Sequence, residues 1–168
     1  MIGQRAVMAS ARVKGSASRD DWETPEIVLD RVRRMGPIGL DPCTTQANPT
    51  GARDWLALHH DGLSGAWSGF AEGVRFVNPP YSQLRSWLNK CQREAESGCE
   101  IVALVASRTD TRAWQSSRPN AIALWRGRLT FRGADAPAPF PSALLYWGRR
   151  VGAFAAAFED VAQVVVPL

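Results

Sequence analysis

Short unbroken apolar runs recur along the chain, separated by segments of helical periodicity or by turn formers. The clearest run, residues 101–106, reads as a strand buried on both faces. Residues 74–77, 121–125, 142–147 and 162–166 also read as strands, with shorter ones at 38–40 and around 55–58. Two helices stand between them. In the first, Ile27, Val28, Val32 and Met35 form one apolar stripe, Thr24 caps the free N–H groups, Pro25 takes the first helical position and Glu26 faces the positive helix end. Gly36 is placed for a left-handed stop. The second starts at Ser82, carries Leu84, Trp87, Leu88, Cys91 and Ala95 on one side, and ends at Gly98. Residues 111–117 give a weaker helical signal.

Strands alternating with helices predict an α/β sheet with much parallel pairing, in which ligands bind at the carboxyl ends of strands. Asp41 and Asn78 read as standing at such ends. A chain of 168 residues, 45% hydrophobic and 21% charged, is enough for one packed domain, expected over residues 20–168. Residues 1–19 are small, polar and basic, without periodicity, and read as a flexible arm. No apolar run approaches the roughly 20 residues of a membrane span. Three cysteines without a C-x-x-C pair fit a reducing compartment.

The net charge of +4 changes the picture by where it lies. Arg5, Arg12, Lys14 and Arg19 account for all of it, and the other 16 basic and 16 acidic residues cancel. Within that neutral body Arg108, Arg112, Arg118, Arg126, Arg128 and Arg132 have only Asp110 as a nearby counter-charge in sequence. Arginine forks suit phosphates and base edges, so a nucleic-acid partner is indicated; a general coding bias toward arginine gives the same composition.

The sharpest local feature is Asn78-Pro79-Pro80-Tyr81, directly after a strand and before an amphipathic helix. Two prolines fix an extended backbone with no N–H to donate. The Asn78 amide oxygen and the Pro79 carbonyl then become fixed acceptors beside an aromatic ring. A flat ligand carrying an NH2 group can donate both its N–H bonds there while stacking on Tyr81. Methylating such an amine requires this, because its lone pair is delocalised into the ring. Two acceptors pull the nitrogen toward tetrahedral geometry and aim the lone pair at an incoming methyl.

Asn-Pro-Pro-Tyr resembles motif IV of the amino-methyltransferases that act on DNA. Residues 23–29, starting Glu23-Thr24-Pro25, resemble their motif X, and Leu40-Asp41-Pro42-Cys43 resembles the acidic end of motif I. The ordered set is most similar to the phage-type DNA N-6-adenine methyltransferase family. It comprises Asp21-Trp22-Glu23-Thr24-Pro25, Asp41-Pro42 with Asn48, Asp61-Gly62-Leu63 with Trp67, Asn78 to Tyr81, and Ser107-Arg108-Thr109-Asp110-Thr111 with Trp114. The resemblance implies a Rossmann-like class I methyltransferase sheet, S-adenosyl-L-methionine as donor, adenine in double-stranded DNA as acceptor, and the cytoplasm of a bacterial host. It implies that Asn78, Pro79, Pro80 and Tyr81 are catalytic and that Trp22, Thr24, Pro25, Asp41, Pro42, Cys43 and Asp61 hold the cofactor. Arg108, Thr109, Asp110, Arg112 and Trp114 are expected to line the DNA side, and the target adenine to leave the duplex. The glycine-rich turn usual after the first strand is missing, since residues 43–48 contain no glycine. Asp54 is the one candidate for the cofactor ribose.

Several residues carry a second reading. Asp61-Gly62 is also a plain turn, and residues 107–111 are also a helix-capping loop. His59-His60 with Cys43 is a poor metal set, because adjacent histidines rarely ligate one ion. Most of the seven tryptophans are expected in the core, Trp87 above all, with Trp22 and Trp114 the best base-stackers. Cytosine N4 or a protein glutamine amide offers the same NH2 group as adenine, and a DNA-binding protein that keeps the fold without the cofactor is the rival of another class.

Overall fold

Among residues 22–57 and 60–167, which the computed structural model describes, the chain forms seven strands: β1 (Ile38–Thr44), β2 (Asp54–Ala57), β3 (Val74–Val77), β4 (Ile101–Ala106), β5 (Ala121–Trp125), β6 (Ser142–Trp147) and β7 (Ala162–Val165). The arm read over residues 1–19, and also Asp21, Leu58 and His59, lie outside the described residues. The strands make one mixed sheet in the order β2-β1-β3-β4-β6-β5-β7. Pairings from β2 to β4 are parallel, and those of β6 with β4 and β5, and of β7 with β5, are antiparallel.

Every residue of β3, β4 and β6 is buried, which is why these strands read as continuous runs rather than alternations. Helices cover both faces. On one side α1 (Glu26–Arg34) and α4 (Val151–Phe158) pack on Phe76, Val102, Leu104, Leu144 and Tyr146. On the other, α2 (Leu84–Glu96) and the short α3 (Arg112–Gln115) pack on Val77, Ile101, Ala103, Val105 and Trp147. The strand side chains alternate between these two cores, as the pleat requires. No helix among the described residues is long and apolar enough to cross a membrane.

Four expectations are corrected. Thr24 does not cap α1: Pro25 is the N-cap and its carbonyl accepts from the Val28 and Leu29 N–H groups, while the Thr24 side chain is turned elsewhere. The buried face of α1 is Val28, Leu29 and Val32, and Ile27 is 50% exposed. A helix was not legible at α4, because its sequence, VGAFAAAF, has no polar face to create a 3.6-residue pattern. Phe154 and Phe158 are nonetheless fully buried, with Phe154 stacked on Tyr146 at 4.8 Å. Finally, β1 continues through Pro42 to Thr44, so Asp41 lies within the strand and not at its end. Proline tolerates this place because the pairing with β2 breaks register between Asp41 and Thr44.

Candidate active site

Asn78 directly follows β3, whose parallel neighbour β1 brings Cys43 alongside. The Cys43 sulfur faces the Asn78 backbone N–H; burial first, and Asp41 next, push its thiol well above the ordinary range. The side-chain amide of Asn78 is held from the far side. Its Nδ2 donates to the Trp22 carbonyl at 2.6 Å and to Thr24 Oγ1 at 3.1 Å. A carbonyl only accepts, so the atom that meets it is the nitrogen, and Oδ1 is the acceptor of the amide. Donating both N–H bonds also shifts electron density onto Oδ1, which makes it a better acceptor.

The prolines do what their chemistry predicts. Pro79 is buried, Pro80 is extended (φ −58°, ψ 130°), and its carbonyl accepts from the Gln83 N–H at 3.1 Å in the 3-10 turn Tyr81–Gln83 that leads into α2. The Tyr81 ring meets Phe140 edge-on at 5.3 Å. Phe140 in turn contacts Trp22 at 5.8 Å and Phe131 at 6.3 Å. The Tyr81 hydroxyl is buried without a hydrogen-bond partner among the described residues, and its burial raises its pKa against the opposing pull of Arg108.

Phe140 was missed in the sequence. Its one signal is a lone large aromatic between Pro139 and Pro141, directly before a strand. Trp22, partly buried, meets Phe131 edge-on at 4.9 Å and Phe140 at 5.8 Å. Trp114, partly buried, packs against the core beneath α2. Trp67, Trp87 and Trp147 are core residues.

Asp41 does not open into the site. Its Oδ2 accepts from Thr50 Oγ1 at 2.9 Å and its Oδ1 from the Cys43 N–H at 3.2 Å. It thereby ties down residues 45–50, where Asn48 takes a positive φ of 46° that stands in for the missing glycine. Burial is the dominant influence on its carboxyl and pushes its pKa up to about 6, despite the bonds from Thr50, Cys43 and Thr44. A raised carboxyl favours the folded state below the unfolded value of 3.8, and that advantage is lost as pH rises through about 6. Asp41→Asn keeps an acceptor for the Cys43 N–H and a donor for Thr50 and has no charge to bury. Between pH 4 and pH 7.5 the native protein should therefore lose about 2 kcal/mol relative to Asp41→Asn, read from urea midpoints at both pH values.

Asp61 forms a turn, its Oδ1 accepting from the Leu63 N–H at 2.9 Å. Gly62 is fixed by space: an added Cβ would lie 2.1 Å from the Pro42 carbonyl oxygen. Trp67 is fully buried and donates from its indole to the Gly62 carbonyl at 2.9 Å, so this motif seats a loop against β1. Asp54 is corrected as a ribose partner. It begins β2, at the end away from Asn78, and accepts from the Ala71 N–H at 2.7 Å.

Arg108, Thr109, Asp110 and Arg112 are exposed just beyond the carboxyl end of β4, and Thr111 caps α3 by accepting from the Trp114 N–H at 3.3 Å. Two of the arginine cluster have other occupations: Arg132 pairs with Glu26 at 3.3 Å and Arg126 donates to the Asp160 carbonyl. A depression of about 300 Å³ that includes Gly73, Arg75 and Cys99 lies at the amino ends of β3 and β4, away from Asn78.

A search of curated proteins finds no match to the chain. The family model described as DNA N-6-adenine-methyltransferase (Dam) matches residues 12–141, a span that holds α1, the first five strands and Asn78 to Tyr81. With most of its length inside that model, and with the Asn-Pro-Pro-Tyr corner formed at the end of a parallel strand, the chain belongs to the DNA N-6-adenine-methyltransferase (Dam) family.

Proposed function

We propose that the chain transfers a methyl group from S-adenosyl-L-methionine to the exocyclic amine of an adenine swung out of double-stranded DNA, on a Rossmann-like class I sheet. The observation that carries this reading is the clamped Asn78 amide, both of whose N–H groups are engaged so that Oδ1 is the atom left to accept. The sheet reading is supported by the adjacent parallel pair β1 and β3 and by an antiparallel strand inserted beyond β4. Adenine is preferred over cytosine or a glutamine amide because of the family.

Asn78 Oδ1 and the Pro79 carbonyl accept the two N–H bonds of the amine and draw its nitrogen toward tetrahedral geometry. Tyr81, braced by Phe140, stacks on the base. The reaction is promoted by positioning and polarisation, without a strong general base. The donor fits the corner formed by Thr24, Pro25 and Cys43 around Asn78, with Pro42 in β1 and Asp61 on the loop seated against it, and Asp41 shaping the adjoining turn. When bound, S-adenosyl-L-methionine supplies the electrophilic methyl group. The test is incubation with DNA and labelled donor followed by nucleoside mass spectrometry: N6-methyladenine is expected, and N4-methylcytosine or no product overturns the reading.

Arg108 acts on the Tyr81 hydroxyl through its charge, and with the exposed Arg112 it would meet the DNA flanking the extruded base. Arg108→Ala should lower turnover or shift which adenines are methylated, beyond the uniform loss of affinity that a phosphate contact gives. A methylation map of random-sequence DNA checks this, and an unchanged map with only a flatter salt dependence reduces Arg108 to a phosphate contact.

A further inference from the structure

The geometry points to Thr24 as a positioning residue for Asn78, its hydroxyl holding the second N–H of an amide whose orientation the Trp22 carbonyl sets. This rests on the proposed methyl transfer at Asn78. Thr24 is 4% exposed, and its Oγ1 lies 3.1 Å from Asn78 Nδ2. The Trp22 carbonyl accepts the other N–H. Together they occupy both donors of the amide; the carbonyl removes the flipped orientation, which would set Oδ1 against an oxygen that only accepts, and the hydroxyl fixes the second N–H.

The two acceptors are themselves pinned. Residues 22–24 run as a strap between the end of β3 and the segment after β5. On one side Glu23 bridges to Arg132, whose N–H donates to the Glu23 carbonyl at 3.0 Å, and the Arg132 guanidinium reaches Glu26. On the other, Pro25 starts α1, anchored by the fully buried Val28, Leu29 and Val32. Thr24 is thus held by rigid packing while its hydroxyl, which accepts from Asn78, keeps a proton of its own to donate. A ligand that accepts the Thr24 proton would polarise the hydroxyl and tighten its hold on Asn78.

The experiment compares Thr24→Val, which keeps the shape and removes the hydroxyl, with Thr24→Ser, which restores it. At saturating donor and DNA, Thr24→Val should lower kcat by about 10- to 100-fold with little change in the KM for DNA, and Thr24→Ser should recover most of it. The Asn78 side-chain amide, followed by 15N NMR, should show one proton losing protection in Thr24→Val and regaining it in Thr24→Ser. A Thr24→Val protein with normal kcat and weaker donor binding would make Thr24 a cofactor contact only and overturn the inference. Equal impairment of both variants would do the same, by tracing the effect to packing. If the native protein makes no methylated base, the proposed function fails, and the amide signals still decide: unchanged protection in Thr24→Val overturns the lock.

Discussion

Asn78→Ala should reduce methyl transfer by roughly 10²- to 10³-fold, the loss expected on removing one preorganised acceptor worth about 3–4 kcal/mol in the transition state. Affinity for S-adenosyl-L-methionine should stay near native, because the change leaves the Cys43 and Pro25 side of the corner in place. The substitution also leaves the Trp22 carbonyl and Thr24 Oγ1 without their donor, so a modest drop in stability, about 1 kcal/mol, should accompany it. Asn78→Asp separates the two effects. It keeps an acceptor, but places a carboxylate oxygen where Nδ2 now meets the Trp22 carbonyl at 2.6 Å. The side chain must turn away or take up a proton, and turnover should fall nearly as far as in the alanine variant. Isothermal calorimetry with the donor and single-turnover methylation of DNA measure both quantities. A fully active Asn78→Asp would show that amide orientation does not matter, and native turnover in Asn78→Ala would remove the motif from catalysis.

The chain discloses this corner unevenly. The strands β3 to β6 were legible nearly to the residue, since apolar side chains fill every position in them except Arg75 and Ser142. Two prolines after β3 were legible for a similarly local reason. What holds Asn78 was not, because its partners Trp22 and Thr24 lie 56 and 54 residues away and are ordinary in their own surroundings. Thr24 before a proline and a helix reads as a cap; only the fold shows that Pro25 takes that place and frees the hydroxyl for Asn78. Asp41 misled in another way. The acid was legible, but proline at position 42 made the strand appear to end there, whereas a local break in register lets it continue and buries the carboxylate. Arg132 looked like part of an unpaired basic run, and its acid, Glu26, stands far upstream.

Lys90 and Glu94 show the same limit with a larger consequence, since an i,i+4 pair on an amphipathic helix reads as a solvated surface contact. Here the loop over residues 60–73 closes across them, and their side chains are 6% and 8% exposed. Lys90 Nζ donates to Glu94 Oε1 at 2.5 Å and to the Gly65 carbonyl at 2.6 Å, while Glu94 Oε2 accepts from the Trp67 N–H at 2.8 Å. The pair therefore clamps the loop whose Gly62 presses on Pro42 beneath the candidate donor site, helped by Arg75, which donates to the Trp67 carbonyl at 3.0 Å. Glu94→Ala should destabilise the protein by about 3–5 kcal/mol, because it strands a buried ammonium and orphans a buried N–H at once. The net worth of the charges is smaller than that loss, so Lys90→Met combined with Glu94→Gln, which keeps an acceptor for Trp67, should recover more than half of it. Urea denaturation of the native protein, Glu94→Ala and the double variant measures this. A loss below about 1 kcal/mol in Glu94→Ala would place the pair in solvent and remove the clamp. If the clamp holds, the destabilised variant should also bind the methyl donor more weakly than the double variant, since a loosened loop no longer supports Pro42.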